Sequence, residues 1–411
     1  MTDVITGRDA SMRGRIIAIQ VCWFMLLLAF TPTQGEMAAG TLLTDRVTER
    51  LSLQEVYNAV VLEGLNRDVR PRYGLEFHSI TYRTSDVRGR PAVASGLVVI
   101  PAGAASLPVV SYQHGTVIER SQAPSNLHAA DIFEVALIYA STGFLVVAAD
   151  YLGLGNSFGP HPFLHAATEA SACRDMLRAS RMLCRQRGLP WGPQLFLVGY
   201  SAGGHATLAL HRALEADPAR EFTVSASAPQ LGPYDLSGVQ FTFALRQRHS
   251  PTLTLAVGYL LYAYSEIYQP FPTLREMFTP AYAAHLPRLL DGRHNTLSVI
   301  LRLPAAPRDI LNPAFVAALR ADPRHPVRQA LRENDVYDWR PRAPVRLYYV
   351  KDDAIVSPDN TLSACAVMCA RGADVRTVDL GYPYNHWSAF CPAQAAAKAW
   401  FSILQQDRRD N

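Results

Sequence analysis

The sequence predicts an α/β protein with a mostly parallel central sheet covered by helices on both faces. From about Leu75 onward, short β-branched or apolar runs alternate with segments of helical pattern. Strands that are buried on both faces of a sheet are typically short apolar runs of this kind. The predicted strands are EFHSITYRT, AVASGLVVIP, LPVVSYQHG, GFLVVAADY, QLFLVG, FTVSASAP, VRLYYVKD and DVRTVDLG, of which the first two are expected to form an antiparallel pair.

The N-terminus has the pattern of a secretory signal peptide. Basic residues Arg8, Arg13 and Arg15 precede the apolar run 16–30, and a stretch of small and polar residues follows it. We predict a signal peptide over residues 1–38, cleaved between about Gly35 and Gly40. The protein would then be secreted or periplasmic. The alternative is a retained membrane anchor, although the run is short for a bilayer span of ~20 residues.

Composition and charge bound the class of partner. The chain has 411 residues and 49% hydrophobic content, which suits a globular protein with a sizeable core. It carries 39 basic and 35 acidic residues, without a run of five or six like charges. Nucleic-acid binding relies on such basic patches, so we expect neither DNA nor RNA as a partner. Composition leaves the oligomeric state open.

Helices are predicted between the strands and in one long insertion. The clearest helix covers residues 166–187 and ends at Gly188 and Pro190. Between the strands that end near Pro229 and begin near Pro344, about 110 residues carry no clear strand and many tyrosines and prolines. We predict that residues of about 232–342 form a helical cap over the sheet, within one domain of residues 39–411. A separate interaction domain is the alternative.

A serine between glycines follows one of the predicted strands. In LFLVGYSAGGHATL, residues 195–208, the strand QLFLVG is followed by Ser201 and then by a predicted helix. A serine on such a sharp turn adopts a strained backbone, and Gly199 and Gly203 let strand and helix pass closely. The pattern G-x-S-x-G is weak alone, but its position between strand and helix predicts a nucleophile elbow.

A nucleophilic serine needs a base and an acid, which follow it in the chain in this architecture. His386 is the histidine that lies beyond every acid candidate, just after the last predicted strand. The loop after VRLYY offers Asp352, Asp353 and Asp359. Asp359 is at a predicted helix start, where the helix dipole alone accounts for a carboxylate. Asp352 and Asp353 remain as candidates for the acid that would orient His386.

Acyl chemistry also needs hydrogen-bond donors for a developing oxyanion. The N–H of Ala202, directly after the serine, is one candidate, and the N–H of Thr116 in the loop YQHGTV is the other. His114 in that loop precedes the serine, so we assign it a structural role. His205 in the first turn of the serine helix is assigned to packing or hydrogen bonding. Asp150, at a strand end, is expected to tether a loop.

The cysteines predict no metal site. Removal of the signal leaves Cys173, Cys184, Cys365, Cys369 and Cys391, and CAVMC has no second pair of ligands nearby. Cys173 and Cys184 would lie about 16 Å apart along one helix, too far to bond. We expect a disulfide between Cys391 and either Cys369 or Cys365.

The motifs QHGT, DYLGLGNS, GYSAGGH, KDDAIV and NH occur in that order, and with them residues 75–405 resemble the α/β-hydrolase superfamily. Within it, the chain is similar to the secreted lipase and esterase group that includes fungal lipase A and its bacterial relatives. The resemblance implies that Ser201, Asp353 and His386 form a triad, because D-A-I-V after Asp353 matches the D-x-x-V register of related enzymes. Ser357 before Pro358 departs from relatives that often have valine and then proline.

The resemblance implies a serine carboxylic-ester hydrolase that works through an acyl-enzyme, needs no cofactor and acts on a small-molecule or lipid ester. Contact with a lipid interface is left open. A serine peptidase or acyltransferase on the same fold, and an inactive binding protein, are the alternatives. A peptidase of the prolyl-oligopeptidase type would carry a large N-terminal propeller, for which the roughly forty residues between the predicted signal peptide and the first predicted strand are too few.

Overall fold

The computed structural model describes residues 38–127 and 131–407, so the predicted signal peptide lies outside the described residues. Nine strands form one sheet in the order β1-β2-β3-β5-β4-β6-β7-β8-β9. The strands are β1 Leu42–Leu51, β2 Leu75–Ser85, β3 Pro91–Pro101, β4 Val109–Gln113, β5 Leu145–Ala149, β6 Leu195–Tyr200, β7 Val224–Gln230, β8 Val345–Tyr349 and β9 Val375–Asp379.

The sheet is mostly parallel, as predicted. Strands β1, β2, β3 and β5 pair antiparallel in that order, whereas every pair from β5 through β4, β6, β7 and β8 to β9 is parallel. The carboxyl ends of the parallel strands therefore meet at one edge, where the loops after β4, β6, β8 and β9 lie. This edge is where ligand sites of open α/β sheets form.

Strand β1 was not predicted, and the expectation that the first strand begins near Leu75 is wrong. In Leu42–Leu51 exposed side chains alternate with partly buried ones over most of the strand, and none is fully buried. The strand pairs with β2 at the edge of the sheet, where one side stays in water. An edge strand needs few apolar residues, so it lacks the apolar signal used to predict the others.

Helices cover both faces of the sheet. Helices α3 (Ala166–Gln186) and α4 (Ala202–Ala216) pack on one face, in a core that contains Met176, Leu183 and Leu210. Helices α1 (Leu53–Leu62), α2 (Ile132–Tyr139) and α12 (Phe390–Asp407) pack on the other, in a core that contains Val60, Tyr139 and Phe401. Helix α11 (Asp359–Ala370) lies between β8 and β9 in sequence.

The segment between β7 and β8 consists of helices joined by loops and turns, contains one isolated β-bridge between Phe278 and Leu311, and has its own core. Its helices are α5 Phe241–Arg246, α6 Pro251–Tyr268, α7 Pro280–Leu289, α8 Thr296–Ile300, α9 Pro313–Ala321 and α10 Pro326–Glu333. Apolar side chains of these helices and of the loops between them, such as Leu261, Phe278 and Val327, form a hydrophobic cluster that also contains Ala202 from the serine helix. We call this segment the cap. No helix within residues 38–127 and 131–407 is both long and apolar enough to cross a membrane.

The expected disulfide is absent. Cys173, Cys184, Cys365, Cys369 and Cys391 are all free thiols. Cys365 and Cys369 lie one turn apart on α11 with their sulfurs 3.7 Å apart, and both contact the main-chain oxygen of Val375. Cys391 packs against a different core, beneath the opposite part of the sheet. The two helices place these thiols in separate layers, which is why the predicted pairing is wrong.

Candidate active site

The turn between β6 and α4 is a strained elbow. Ser201 has φ 57° and ψ −122°, a backbone conformation that residues other than glycine rarely adopt. A Cβ on Gly199 would lie 2.3 Å from the oxygen of Gly203, and one on Gly203 would lie 2.0 Å from the oxygen of Gln113. Both glycines are therefore required by close backbone contacts. The turn lifts Ser201 above the carboxyl end of β6, where its side chain lines a cavity.

Ser201, His386 and Asp353 are joined by hydrogen bonds. The Nε2 atom of His386 is 3.0 Å from Ser201 Oγ, and its Nδ1 atom is 2.7 Å from Asp353 Oδ2. A carboxylate only accepts hydrogen bonds, so Nδ1–H donates to Asp353 and the neutral ring offers the lone pair of Nε2 to the serine hydroxyl. The side chains of His386 and Asp353 are almost completely buried.

The hydrogen bonds distinguish the two adjacent candidates for the acid, Asp352 and Asp353. Asp353 Oδ1 accepts hydrogen bonds from the N–H groups of Ile355 and Val356, at 2.8 and 2.9 Å, while Oδ2 contacts His386. Asp352 is exposed and has no part in this network, and Asp359 begins α11. The main-chain bonds hold the Asp353 carboxylate in one orientation, so the departure at Ser357 does not displace the acid.

A tyrosine that the sequence did not single out supports the histidine loop. The hydroxyl of Tyr200 donates a 2.6 Å hydrogen bond to the main-chain oxygen of His386. Burial, with the nearby Asp353 charge, raises the pKa of Tyr200 well above its usual range, so the hydroxyl keeps its proton. Asn385 Oδ1 accepts from the N–H groups of Trp387 and Ser388 and closes the turn. The residue before Ser201 thus fixes the loop that carries the base.

The loop after β4 lies beside the serine. A Cβ on Gly115 would lie 3.9 Å from that of Ser201, and Thr116 and Ala202 line the same cavity as the serine. His114 Nδ1 is 2.8 Å from the Gly115 oxygen, and burial lowers the pKa of His114 to about 4, so the ring is neutral at pH 7. In a trans peptide the N–H points opposite to the C=O, so the Thr116 N–H is directed away from His114. The oxyanion role of Thr116 and Ala202 stays a prediction.

Two further polar residues near the site have structural partners. Asp150 accepts a 2.7 Å hydrogen bond from Ser125 N and one from Ser95 Oγ, which ties the loop after β5 to its neighbours. Burial raises the pKa of Asp150. His205 contacts Glu169 and a main-chain oxygen rather than the cavity. Both residues therefore support the site from outside it.

The serine opens into a cavity of about 820 Å³ beneath the cap. Most of its wall is apolar, and about a third of the lining residues come from α5, α6 and α8, which the sequence assigned to a cap without naming residues. Carboxylates line part of the remaining wall, at Glu119, Asp131 and Glu134. Within residues 38–127 and 131–407, no group of three His, Cys, Asp or Glu side chains is arranged to hold a metal ion. The apolar side chains from the cap are Pro233, Leu236, Phe241, Ala244, Leu253, Leu255, Ala256, Val257, Leu260, Leu297 and Ile300.

Solved structures with this fold include esterases and a lipase. The esterase LipA of Xanthomonas oryzae, described as rice cell wall degrading, is 28% identical with a TM-score of 0.80, over 88% of this chain and 97% of its own. A Legionella pneumophila protein proposed to be a hydrolase is 27% identical with a TM-score of 0.83, over 89% of this chain and 98% of its own. Lipase A of Candida antarctica is 20% identical with a TM-score of 0.64, over 86% and 79%, a likeness of fold alone.

No protein-family model and no curated protein sequence matches the chain. The resemblance stated from the motifs is nevertheless confirmed by the solved structures, which cover almost the whole described chain. By its sheet topology and these neighbours, the chain has the α/β-hydrolase fold and resembles solved structures of the lipase and esterase group.

Proposed function

We propose that the chain is a secreted serine carboxylic-ester hydrolase with Ser201, His386 and Asp353 as its catalytic triad. The observation that carries the proposal is the unbroken series of hydrogen bonds from Asp353 through His386 to Ser201 Oγ, at the wall of an apolar cavity. A neighbour that is itself an esterase supports ester hydrolysis as the reaction.

The contacts of the three residues define the steps. Ser201 Oγ attacks the acyl carbon while His386 Nε2 takes the hydroxyl proton, and the carbonyl oxygen becomes an oxyanion that the Thr116 and Ala202 N–H groups bind. The tetrahedral adduct collapses, the C–O bond breaks and the departing alcohol receives the proton from His386. Water then repeats the sequence and releases the acid, while Asp353 stabilises the imidazolium without taking its proton.

The wall of the cavity favours an apolar acyl group. Many of its apolar side chains come from the cap and line the same cavity as Ser201, where they would remove an acyl chain from water. Leu297 and Trp387 line the same cavity and are 66% and 67% exposed. Large apolar side chains kept in water at the opening would suit contact with a lipid surface. We therefore propose acyl esters as substrates, including esters presented at a lipid interface.

The proposed cellular location rests on the N-terminal sequence and not on the fold. The basic residues and apolar run before residue 38 support export by a cleaved signal peptide. The protein would act outside the cytoplasm, or at the membrane if the segment is retained.

The proposal is tested with p-nitrophenyl esters from acetyl to palmitoyl, assayed with the wild type and Ser201→Ala. We expect hydrolysis by the wild type and a loss of about a million-fold in kcat for the variant. Ser402→Ala, which removes a hydroxyl on α12 that bonds only Lys398 and lines another pocket, is the matched control and should hydrolyse normally. Equal activity of Ser201→Ala and the wild type would overturn the proposal.

A further inference from the structure

A second histidine on the serine helix makes a buried polar contact that the proposed reaction does not use. His205 lies one turn after Ser201 on α4 and has no exposed surface. Its Nδ1 atom is 2.7 Å from Glu169 Oε2 on α3, and its Nε2 atom is 2.7 Å from the main-chain oxygen of Asn334. Asn334 directly follows α10, the last helix of the cap. One imidazole therefore joins the serine helix, a sheet-covering helix and the cap.

The partners of His205 fix the orientation of its ring. A carbonyl oxygen only accepts hydrogen bonds, so Nε2 carries a proton and donates it to Asn334. Nδ1 shares a hydrogen with the carboxylate of Glu169, whose side chain is 4% exposed. Hydrogen bonds that involve a charged group and are shielded from water are the strong ones. Rotation of the ring would break both hydrogen bonds at once, so the two bonds hold the ring in one orientation.

Asn334 carries the contact into the wall of the cavity. Its Oδ1 atom accepts a 2.8 Å hydrogen bond from the N–H of Ala166, the first residue of α3. Its Nδ2 atom donates to the hydroxyl of Tyr268, at 2.8 Å. Tyr268 is the last residue of α6, and α6 supplies Leu253 and Leu260 to the apolar wall of the cavity. The series from His205 through Asn334 to Tyr268 thus links the serine helix to the helix that faces the acyl group.

We propose that His205 is a positioning residue that holds the cap at a fixed distance from Ser201 and so sets which acyl chains the cavity accepts. This inference rests on the proposed ester hydrolysis for its substrate but not for its structural content. An acetyl group would lie next to Ser201 and the loop after β4, whereas a longer chain must reach the side chains of α6. Loss of the cap contact should therefore affect long acyl chains and spare short ones.

Two amide substitutions separate the two bonds of the ring. In His205→Gln the longer side chain places its amide N–H₂ near the position of Nε2, where it can still donate to Asn334. In His205→Asn the shorter side chain places its amide near Nδ1, where it can still donate to Glu169. Each variant loses one buried hydrogen bond, so a general loss of stability is common to both. The contact with the cap is lost only in His205→Asn.

The KM values for p-nitrophenyl acetate and p-nitrophenyl decanoate are then compared. For His205→Asn we expect KM for the decanoate to rise about tenfold, the effect of one buried hydrogen bond, with KM for the acetate within about twofold of wild type. His205→Gln should keep both values within about twofold. Equal changes in the two variants, or equal changes for the two esters, would show a merely structural residue and overturn the proposal.

Hydrogen exchange of the full chain tests whether His205 anchors the cap, and it does not depend on catalysis. We expect amide exchange in α6 and α10 to be at least about tenfold faster in His205→Asn than in His205→Gln. Equal exchange in the two variants would overturn the anchoring role even if esters are hydrolysed. If the wild type hydrolyses no ester while this difference in exchange is present, the proposed function fails and the anchor stands.

Discussion

His386 and His205 make nearly the same contacts, yet only His386 lines the cavity. In each ring Nδ1 is 2.7 Å from a carboxylate, and both side chains are buried. The rings differ at Nε2, which is 3.0 Å from the Ser201 hydroxyl in one case and 2.7 Å from the main-chain oxygen of Asn334 in the other. A hydroxyl can transfer its proton to Nε2 and a carbonyl cannot. A histidine–carboxylate pair can therefore act as a base at His386, whereas at His205 it only fixes the position of its neighbours.

A third histidine extends this lesson. His78 on β2 lies between Asp45 Oδ1 on β1 and Glu76 Oε1 on β2, at 2.6 and 2.7 Å. It therefore has two acceptors and no hydroxyl partner. A histidine paired with a carboxylate does not by itself identify a base. What separates His386 is the group on its second nitrogen and the cavity beside it.

The largest expected effect distinguishes the two histidines by activity. His386→Ala should lower kcat for a p-nitrophenyl ester by about a million-fold, because the serine loses its base. His205→Gln should lower kcat by less than about tenfold, because its ring touches no reacting atom. Steady-state kinetics on both purified variants measures the difference. Similar losses of kcat in the two variants would contradict the assignment of His386, and not His205, as the base.

The next effect concerns the carboxylate behind the base. Asp353→Asn should lower kcat by about ten-thousand-fold, because an amide cannot hold the tautomer in which Nε2 accepts the serine proton. Asp352→Asn, the adjacent exposed position, is the matched control and should keep wild-type kcat. If Asp352→Asn were the inactive variant, the orientation of Asp353 toward His386 would not be the functional one.

The order of the two histidines should reverse when the free energy of unfolding is measured instead of activity. His205→Ala leaves the buried Glu169 carboxylate without its partner and should lower the free energy of unfolding by about 3–5 kcal/mol. His386→Ala should cost about 1–2 kcal/mol, because Asp353 keeps the N–H groups of Ile355 and Val356. Urea unfolding gives both values. A larger loss of stability in His386→Ala than in His205→Ala would contradict the prediction that Glu169 depends more on its histidine than Asp353 does.

The smallest effect comes from histidines that burial keeps neutral. Burial lowers the pKa of His114 to about 4 and that of His161 to about 3, from an ordinary value of 6.5. The unfolded chain then binds protons that the folded chain does not, so the stability from these groups is present above pH 6.5 and is lost as pH falls toward 4. Each should contribute a slope of up to about 1.4 kcal/mol per pH unit.

Urea unfolding at pH 6.5, 5.5 and 4.5 measures that slope, with His161→Phe as the variant. The phenyl ring of the variant binds no proton in either state, so the loss of stability on acidification should be smaller than in the wild type, even if the variant is less stable at pH 6.5. An unchanged slope would mean that the protonation of His161 does not differ between the folded and unfolded states.

Local sequence patterns were enough to predict most of the sheet and two residues of the candidate triad, Ser201 and His386. All eight predicted strands are present. Strands β3 to β7 are buried along most of their length, as their apolar runs predict. Ser201 could be found because its G-x-S-x-G pattern lies between a predicted strand and a predicted helix, and His386 because it follows the last strand. These features depend on neighbours in the chain, which a single sequence records.

The remaining features depend on residues far apart in the chain. Tyr200 bonds to a residue 186 positions away and His205 to one 129 positions away, and no local pattern marks such partners. Residues alone left Asp352 and Asp353 open, because adjacent side chains differ only in the direction that the loop gives them. The wrong disulfide has the same origin, since Cys391 lies in a different layer from α11.

Labelling by a fluorophosphonate tests the central claim most directly, because it requires an activated serine but no particular ester. We predict that the wild type is labelled at Ser201, identified by peptide mass spectrometry, and that His386→Ala is labelled at least about a thousand times more slowly while His205→Gln is labelled at nearly the wild-type rate. Absence of labelling, or labelling that does not depend on His386, would contradict the assignment of His386 as the base and of Ser201 as the nucleophile.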